Sequence, residues 1–184
     1  MIIVGKNPVF EAVNAGKCKK IYLRNGSKFN VKSFLNNQYE YIDSKEFDKK
    51  FGKKSQGIAA EINFKYEDFE INLNEMLKSD GVVILDQILD PQNFGAIIRA
   101  AHCFGINHVI VAKNNQSTVT PVVFKASAGS LLYMKIINVT NLSRTLDTLK
   151  NKGMLIYAAD VNGRELLNDI IFNKTLTLSF VIMA

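Results

Sequence analysis

Beyond residue 80 the chain alternates short apolar runs with amphipathic stretches, and that alternation admits very few folds. Gly81-Val82-Val83-Ile84-Leu85-Asp86 is apolar without interruption and ends in an acid. A strand with one solvated face would alternate polar and apolar residues; an unbroken run reads as a strand buried on both faces, as in a parallel sheet. A helix is predicted from about Pro91 to Phe104, ended by Gly105. A strand follows at His108 to Ala112, then a helix from about Pro121 to Tyr133 and a strand at Ile136 to Val139. Asn141 to Lys152 reads as a helix ended by Gly153, with strands at Met154 to Ala159 and Leu176 to Met183. Strands alternating with helices define an α/β fold with a mostly parallel sheet and right-handed crossovers.

Residues 1–65 read as a separate small α/β unit. Asn7-Pro8 is expected to open a helix, with Asn as cap and Pro as first helical residue, and Gly16 to close it. Strands are expected at Lys20 to Leu23, Tyr39 to Ile42 and Gly57 to Ile62. A helix is expected at Val31 to Leu35, and Ser44 is expected to cap a lysine-rich helix ending at Phe51. The acidic stretch within 66–79 shows no clear period and reads as a linker to a second domain at 80–184.

In the parallel α/β class, ligands sit beyond the carboxyl ends of the strands. That directs attention to the passage from Asp86 into the Pro91 helix. Asn93 falls in the first helical turn, where free N–H groups favour an anion. Gln92, Gly95 and Arg99 share a helix face, and the missing side chain at Gly95 is expected to let another group approach Arg99. Ala96, Ile97, Ala100, Ala101 and Phe104 are expected to form the packing face. From spacing alone, a turn-closing Asn93 and a solvated Arg99 are slightly favoured. The sequence holds no glycine-rich dinucleotide fingerprint, P-loop, Ser/His/Asp set or metal-ligand cluster.

The chain has 184 residues and a net charge of +6. Residues 1–72 carry 13 basic against 9 acidic side chains, and residues 73–184 carry 10 against 8. In a sequence this rich in Lys, Asn and Ile, a basic balance is weak evidence for a nucleic-acid partner. Lys49, Lys50, Lys53 and Lys54 surround Gly52 and can attract phosphates, although any one of them serves equally as a solubilising residue. Tyr22, Tyr39 and Tyr41 can stack on bases or pack in the core. Cys18 and Cys103 match no metal spacing and are expected to be reduced thiols of a cytoplasmic protein. His102 and His108 have no partner spacing and read as structural or surface residues. No apolar run reaches membrane-spanning length, and Met1-Ile2-Ile3-Val4-Gly5 does not resemble a secretory signal.

Asp90-Pro91-x-Asn93-x-Gly95-x-x-x-Arg99-x-Ala101 resembles the first motif of the SpoU/TrmH family of SPOUT RNA methyltransferases. Lys125-Ala126-Ser127-Ala128-Gly129-Ser130 resembles that family's next segment. Val4-Gly5-Lys6-Asn7-Pro8-Val9-x-Glu11-Ala12 and Ser55-Gln56-Gly57-Ile58-Ala59 resemble the start and end of the RNA-binding domain found in one branch. Four motifs in order make the resemblance specific, and the nearest family members are large-subunit (23S) rRNA guanosine 2′-O-methyltransferases. The resemblance implies methyl transfer from S-adenosylmethionine to a ribose 2′-hydroxyl, with Asn93 and Arg99 as catalytic residues. It implies RNA contacts from Lys50, Lys53, Lys54 and Lys125, and Ala158, Ala159 and Asp160 as one wall of the cofactor site.

In the family, the strand matching Leu178 to Ala184 leads into further segments that form a trefoil knot, most of the cofactor pocket and much of a homodimer interface. Measured against that pattern, the chain is expected to be a C-terminally truncated member. It is then expected to lack the knot, a complete cofactor site and most of the dimer surface. The competing expectation is therefore a catalytically inactive RNA-binding fragment.

Overall fold

A computed structural model of the protein describes residues 1–29, 38–159, 163, 169 and 178–183. The helix expected at Val31 to Leu35 and the residue Asp160 lie outside the described residues.

The second domain is built on a five-stranded parallel sheet. Its strands are β5 (Gly81–Asp86), β6 (His108–Ala112), β7 (Lys135–Val139), β8 (Leu155–Ala159) and β9 (Leu178–Met183), in the order β7-β6-β5-β9-β8. The unbroken apolar run of β5 places it in the centre, and the two-residue period divides its side chains between two cores. Val83 and Leu85 join one core with Val109 and Val111. Val82 and Ile84 join the other with Ile110 and Ile137. The first core is covered by α4 (Pro91–Cys103) and α5 (Pro121–Ala126), the second by α3 (Phe69–Met76) and α6 (Leu142–Asn151). Asn141 caps α6, its side-chain oxygen accepting the Arg144 N–H at 2.9 Å.

The stretch expected to be a linker holds α3. Asp68 caps it by accepting the Ile71 N–H at 3.1 Å, and Leu73 and Met76 bury themselves against the sheet. Its apolar stripe is short and interleaved with acids, which hid the helical period. The helix expected from Pro121 to Tyr133 is also two pieces: α5 stops at Ala126, and a 3-10 turn covers Ser130–Tyr133. Ala128 (φ 51°) and Gly129 (φ 86°) lie between them in the left-handed region, which a continuous helix cannot contain.

The N-terminal unit has four strands, β1 (Ile2–Val4), β2 (Cys18–Arg24), β3 (Gln38–Ile42) and β4 (Ile58–Ile62), in the order β1-β4-β2-β3. Only β2 and β3 are parallel. Helix α1 (Lys6–Asn14) starts one residue before Asn7, with Gly5 at the cap position. The Lys6 N–H donates to Gln56 Oε1 at 2.8 Å, so the cap comes from fifty residues away and the two N-terminal motifs meet there. Helix α2 (Ser44–Phe51) is capped by Asp43 rather than Ser44; its carboxylate accepts the Lys45 N–H at 2.9 Å.

The two units share a core: Ile3, Val9 and Ala12 belong to the same buried cluster as Val83, Phe94 and Leu131. On the far face, His108 is 2% exposed at the start of β6, 3.4 Å from the Glu75 carboxylate. Burial holds its pKa below the usual imidazole value, against the pull of Glu75. The unfolded chain therefore takes up this proton more readily than the native one. The stabilising contribution is complete above the unfolded value near 6.5 and is lost as pH falls toward the lowered native pKa. Thermal melts between pH 5 and 8 are expected to show a shallower acid decline for His108→Gln than for the parent.

Candidate active site

The passage from β5 to α4 is held from several sides. Asp90 caps α4 by accepting the Gln92 N–H at 2.9 Å, and Pro91 occupies the first turn, where its missing N–H costs nothing. Before it, Gln87 sits at φ 58°, a conformation that a non-glycine residue keeps only when its surroundings enforce it. The enforcement comes from the loop after β6. Gln116 Oε1 accepts the Ile88 N–H at 2.9 Å, and the Ser117 N–H donates to the Ile88 carbonyl at 2.8 Å. Sequence reasoning missed both residues, because a glutamine and a serine in a polar loop carry no distinguishing pattern.

Asn93 and Arg99 are both exposed on α4. Among the described residues neither side chain has a hydrogen-bond or ion-pair partner. Six residues apart, they lie about 9 Å apart along the helix axis and roughly 120° around it. The structure does not join them by a hydrogen bond, so Asn93 is not an orienting partner of Arg99 here. An unpaired guanidinium in water is available to an anionic ligand.

The packing face of α4 differs from the expected one. Phe94, Gly95, Ile98 and Ala101 are buried, whereas Ala96 and Ala100 are exposed and Phe104 is 85% exposed. Gly95 faces α5, not a group approaching Arg99. A Cβ placed on it would lie 2.4 Å from the Ala126 Cβ and 2.7 Å from the Val123 carbonyl oxygen. The glycine therefore fixes the α4–α5 spacing. Lys125 lies on α5 and is exposed, its neighbour Phe124 being buried.

Ala158 and Ala159 end β8 and are exposed. In register, Ala159 pairs with Ile182 of β9 and Met183 pairs with Asp86 of β5. The carboxyl ends of β8, β9 and β5 thus lie side by side, and the two alanines leave β8 ending in small apolar side chains. That fits one wall of a site for a flat, partly apolar ligand. A cleft of about 230 Å³ opens elsewhere, at the seam between the units, lined by Lys17, Phe64, Lys65, Leu131 and Met134 among others. None of Asn93, Arg99, Ala158 and Ala159 lines it.

Lys50, Lys53 and Lys54 are exposed on α2 and the turn after it, in the N-terminal unit. Lys50 Nζ lies 5.0 Å from the Tyr22 ring centroid and 5.4 Å from that of Phe51. Tyr22 packs on Phe51 at 5.2 Å, so it serves the core side, whereas Tyr39 and Tyr41 are 46% and 48% exposed. Cys18 is half-buried and burial raises its thiol pKa to about 11, while Cys103 is exposed; among the described residues neither forms a disulfide.

The protein thus joins a parallel α/β domain, whose helix after the central strand carries an arginine with no partner among the described residues, to a small lysine-bearing α/β unit. Comparison with known proteins gives the family. Residues 80–180 match the SpoU rRNA methylase family, and residues 2–67 match the RNA 2′-O ribose methyltransferase substrate-binding family. A Staphylococcus aureus (strain COL) protein named "Putative TrmH family tRNA/rRNA methyltransferase" is 33% identical over 174 residues, covering 88% of this chain and 70% of that protein. Its namesake in Staphylococcus haemolyticus (strain JCSC1435) is 32% identical over 175 residues, covering 89% of this chain and 70% of that protein. The crystal structure of the SpoU methyltransferase AviRb from Streptomyces viridochromogenes superposes with a TM-score of 0.78 at 20% identity, covering all of this chain and 72% of that one. At that identity the likeness speaks for the fold. The chain belongs to the SpoU/TrmH family of RNA methyltransferases.

Proposed function

We propose that the protein is a ribose 2′-O-methyltransferase that uses S-adenosylmethionine and modifies a guanosine of large-subunit rRNA. The observation that carries this reading is Arg99, exposed and without a partner among the described residues, on the helix that leaves the central strand and within the segment that matches the family. An AviRb structure in complex with the cofactor AdoMet, 21% identical to this chain with a TM-score of 0.77, has the same fold. Ala158 and Ala159, with Asp160 next in sequence, would supply one wall of the cofactor site.

The 2′-hydroxyl of ribose is a very weak acid, so its attack needs help with the departing proton and the developing negative charge. Bound S-adenosylmethionine supplies an electrophilic methyl group. A guanidinium is a hydrogen-bond donor without an acceptor site. Arg99 therefore holds the neighbouring phosphate and stabilises the developing alkoxide, and it does not act as the base. Asn93, in the first turn of α4, orients the ribose by hydrogen bonding. Lys125 on α5 adds a phosphate contact.

The N-terminal unit grips RNA through charge. Neutralising Lys53 and Lys54 together as glutamines is expected to weaken RNA binding across sequences. The slope of log affinity against log salt is expected to fall by about 2, one for each lost phosphate contact. Filter binding at several salt concentrations reads this directly; an unchanged slope would remove these lysines from the interface.

Calorimetric titration of S-adenosylmethionine into the folded chain tests the cofactor assignment. One-to-one binding would support the assignment and overturn the expectation of an incomplete cofactor site. Absence of heat, together with retained salt-dependent RNA binding, would favour an RNA-binding module without the transfer activity.

A further inference from the structure

The seam between the two units passes through the helix that carries Arg99. Glu11, on α1 of the N-terminal unit, accepts a hydrogen bond from the Tyr133 hydroxyl. The Tyr133 ring stacks on the His102 imidazole, with planes 9° apart and centroids 5.6 Å apart. His102 lies on α4, three residues after Arg99 and therefore one turn along the same helix. The left-handed turn at Ala128–Gly129 provides the seat: a Cβ on Gly129 would lie 3.3 Å from Glu11 Cγ.

We propose that Glu11 and Tyr133 are positioning residues for methyl transfer, locking the N-terminal unit onto α4 so that RNA held by that unit reaches Arg99 at one fixed offset. The inference rests on the reading of the protein as an RNA methyltransferase. Neither residue touches the reacting atoms; each acts by fixing the distance between two sites on one RNA. The shared core brings the units together, but apolar packing is non-directional. The hydrogen bond and the stack add direction. They connect α1 to the turn that resembles the family's second motif and, through it, to the catalytic helix. This gives that turn a use that its own side chains do not supply, since Ser127 is fully buried and spends its hydroxyl on the Phe124 carbonyl.

The test uses two spin labels on the whole chain. One sits on Cys103, which is exposed on α4, and the other on a Glu46→Cys substitution on exposed α2. Cys18 is replaced by alanine in every protein compared, so that only these two positions carry labels. Tyr133→Phe removes the hydroxyl and keeps the stacked ring; Glu11→Gln keeps an acceptor oxygen; Glu11→Leu does not. The parent and Glu11→Gln are expected to give one narrow distance distribution. Tyr133→Phe and Glu11→Leu are expected to broaden it. In the unlabelled proteins, the same two variants are expected to lower kcat/KM for RNA about fivefold, with RNA dissociation constants unchanged. A Tyr133→Phe distribution as narrow as the parent's would overturn the proposal, and so would a broadened one with unchanged kcat/KM. If the parent itself methylates no RNA, the functional reading fails, while the distance distributions still decide whether the lock exists.

Discussion

Replacing Arg99 with alanine is expected to lower the methyl-transfer rate by roughly 10²–10³-fold, the usual consequence of deleting one donor that stabilises a developing oxyanion. The fold should not suffer. Arg99 is exposed and, among the described residues, has no ion-pair or hydrogen-bond partner to lose, so its melting temperature should stay near that of the parent. Arg99→Lys should recover little, because an ammonium keeps the charge but not the planar fork that engages two oxygens at once. Incorporation of labelled methyl groups into rRNA, measured beside a thermal melt, separates a chemical role from a structural one. Full activity in Arg99→Ala would return Arg99 to the solvated surface residue that spacing alone suggests.

Gly95→Ala is expected to reduce both stability and activity. Alanine is the better helix former by about 1 kcal/mol, which alone would stabilise α4. The opposing term is steric. The new methyl would meet the Val123 carbonyl oxygen at 2.7 Å and the Ala126 Cβ at 2.4 Å, and a backbone carbonyl does not rotate away as a flexible side chain does. Overpacking of this kind costs about 1–3 kcal/mol, and contacts this short put it at the upper end, which leaves a net loss of about 1–2 kcal/mol. A fall in melting temperature of about 2–6 °C follows for a chain of this size. Because α4 must move off α5, Arg99 shifts with it, and a misplacement near 1 Å can cost about 10²-fold in rate. Melting and rate measurements on Gly95→Ala check both halves. A variant as stable as the parent would show that the α4–α5 contact is loose.

The parallel sheet was legible because its determinants are local. Residues 81–85 and 109–112 are apolar without interruption, and both stretches belong to strands inside the sheet rather than at its edge. Helix ends were less legible where the cap is tertiary. Gln56 caps α1 from across the N-terminal unit, and no reading of Lys6-Asn7-Pro8 alone can find it. The helix α3 was hidden because Phe69, Leu73 and Met76 form a stripe too short to stand out among Glu70 and Glu75. On α4 the motif residues were legible from resemblance, and the direction they face was not. Gly95 suggested open space beside Arg99, yet the vacancy is filled by Ala126 of the next helix. Phe104 suggested a core residue and is exposed, because the helix ends just before it. The Gln116 and Ser117 contacts to Ile88 depend on two loops meeting after strands β5 and β6, which only the folded sheet brings together.

The most direct test of the account is methyl transfer itself. Large-subunit rRNA lacking modification would be incubated with the chain and S-adenosylmethionine, digested, and its nucleosides resolved by mass spectrometry. A 2′-O-methylated guanosine is expected with the parent protein and not with Arg99→Ala. Salt-dependent binding of the same RNA with no methylated ribose would contradict this expectation, and would leave the chain as a protein that holds RNA without modifying it.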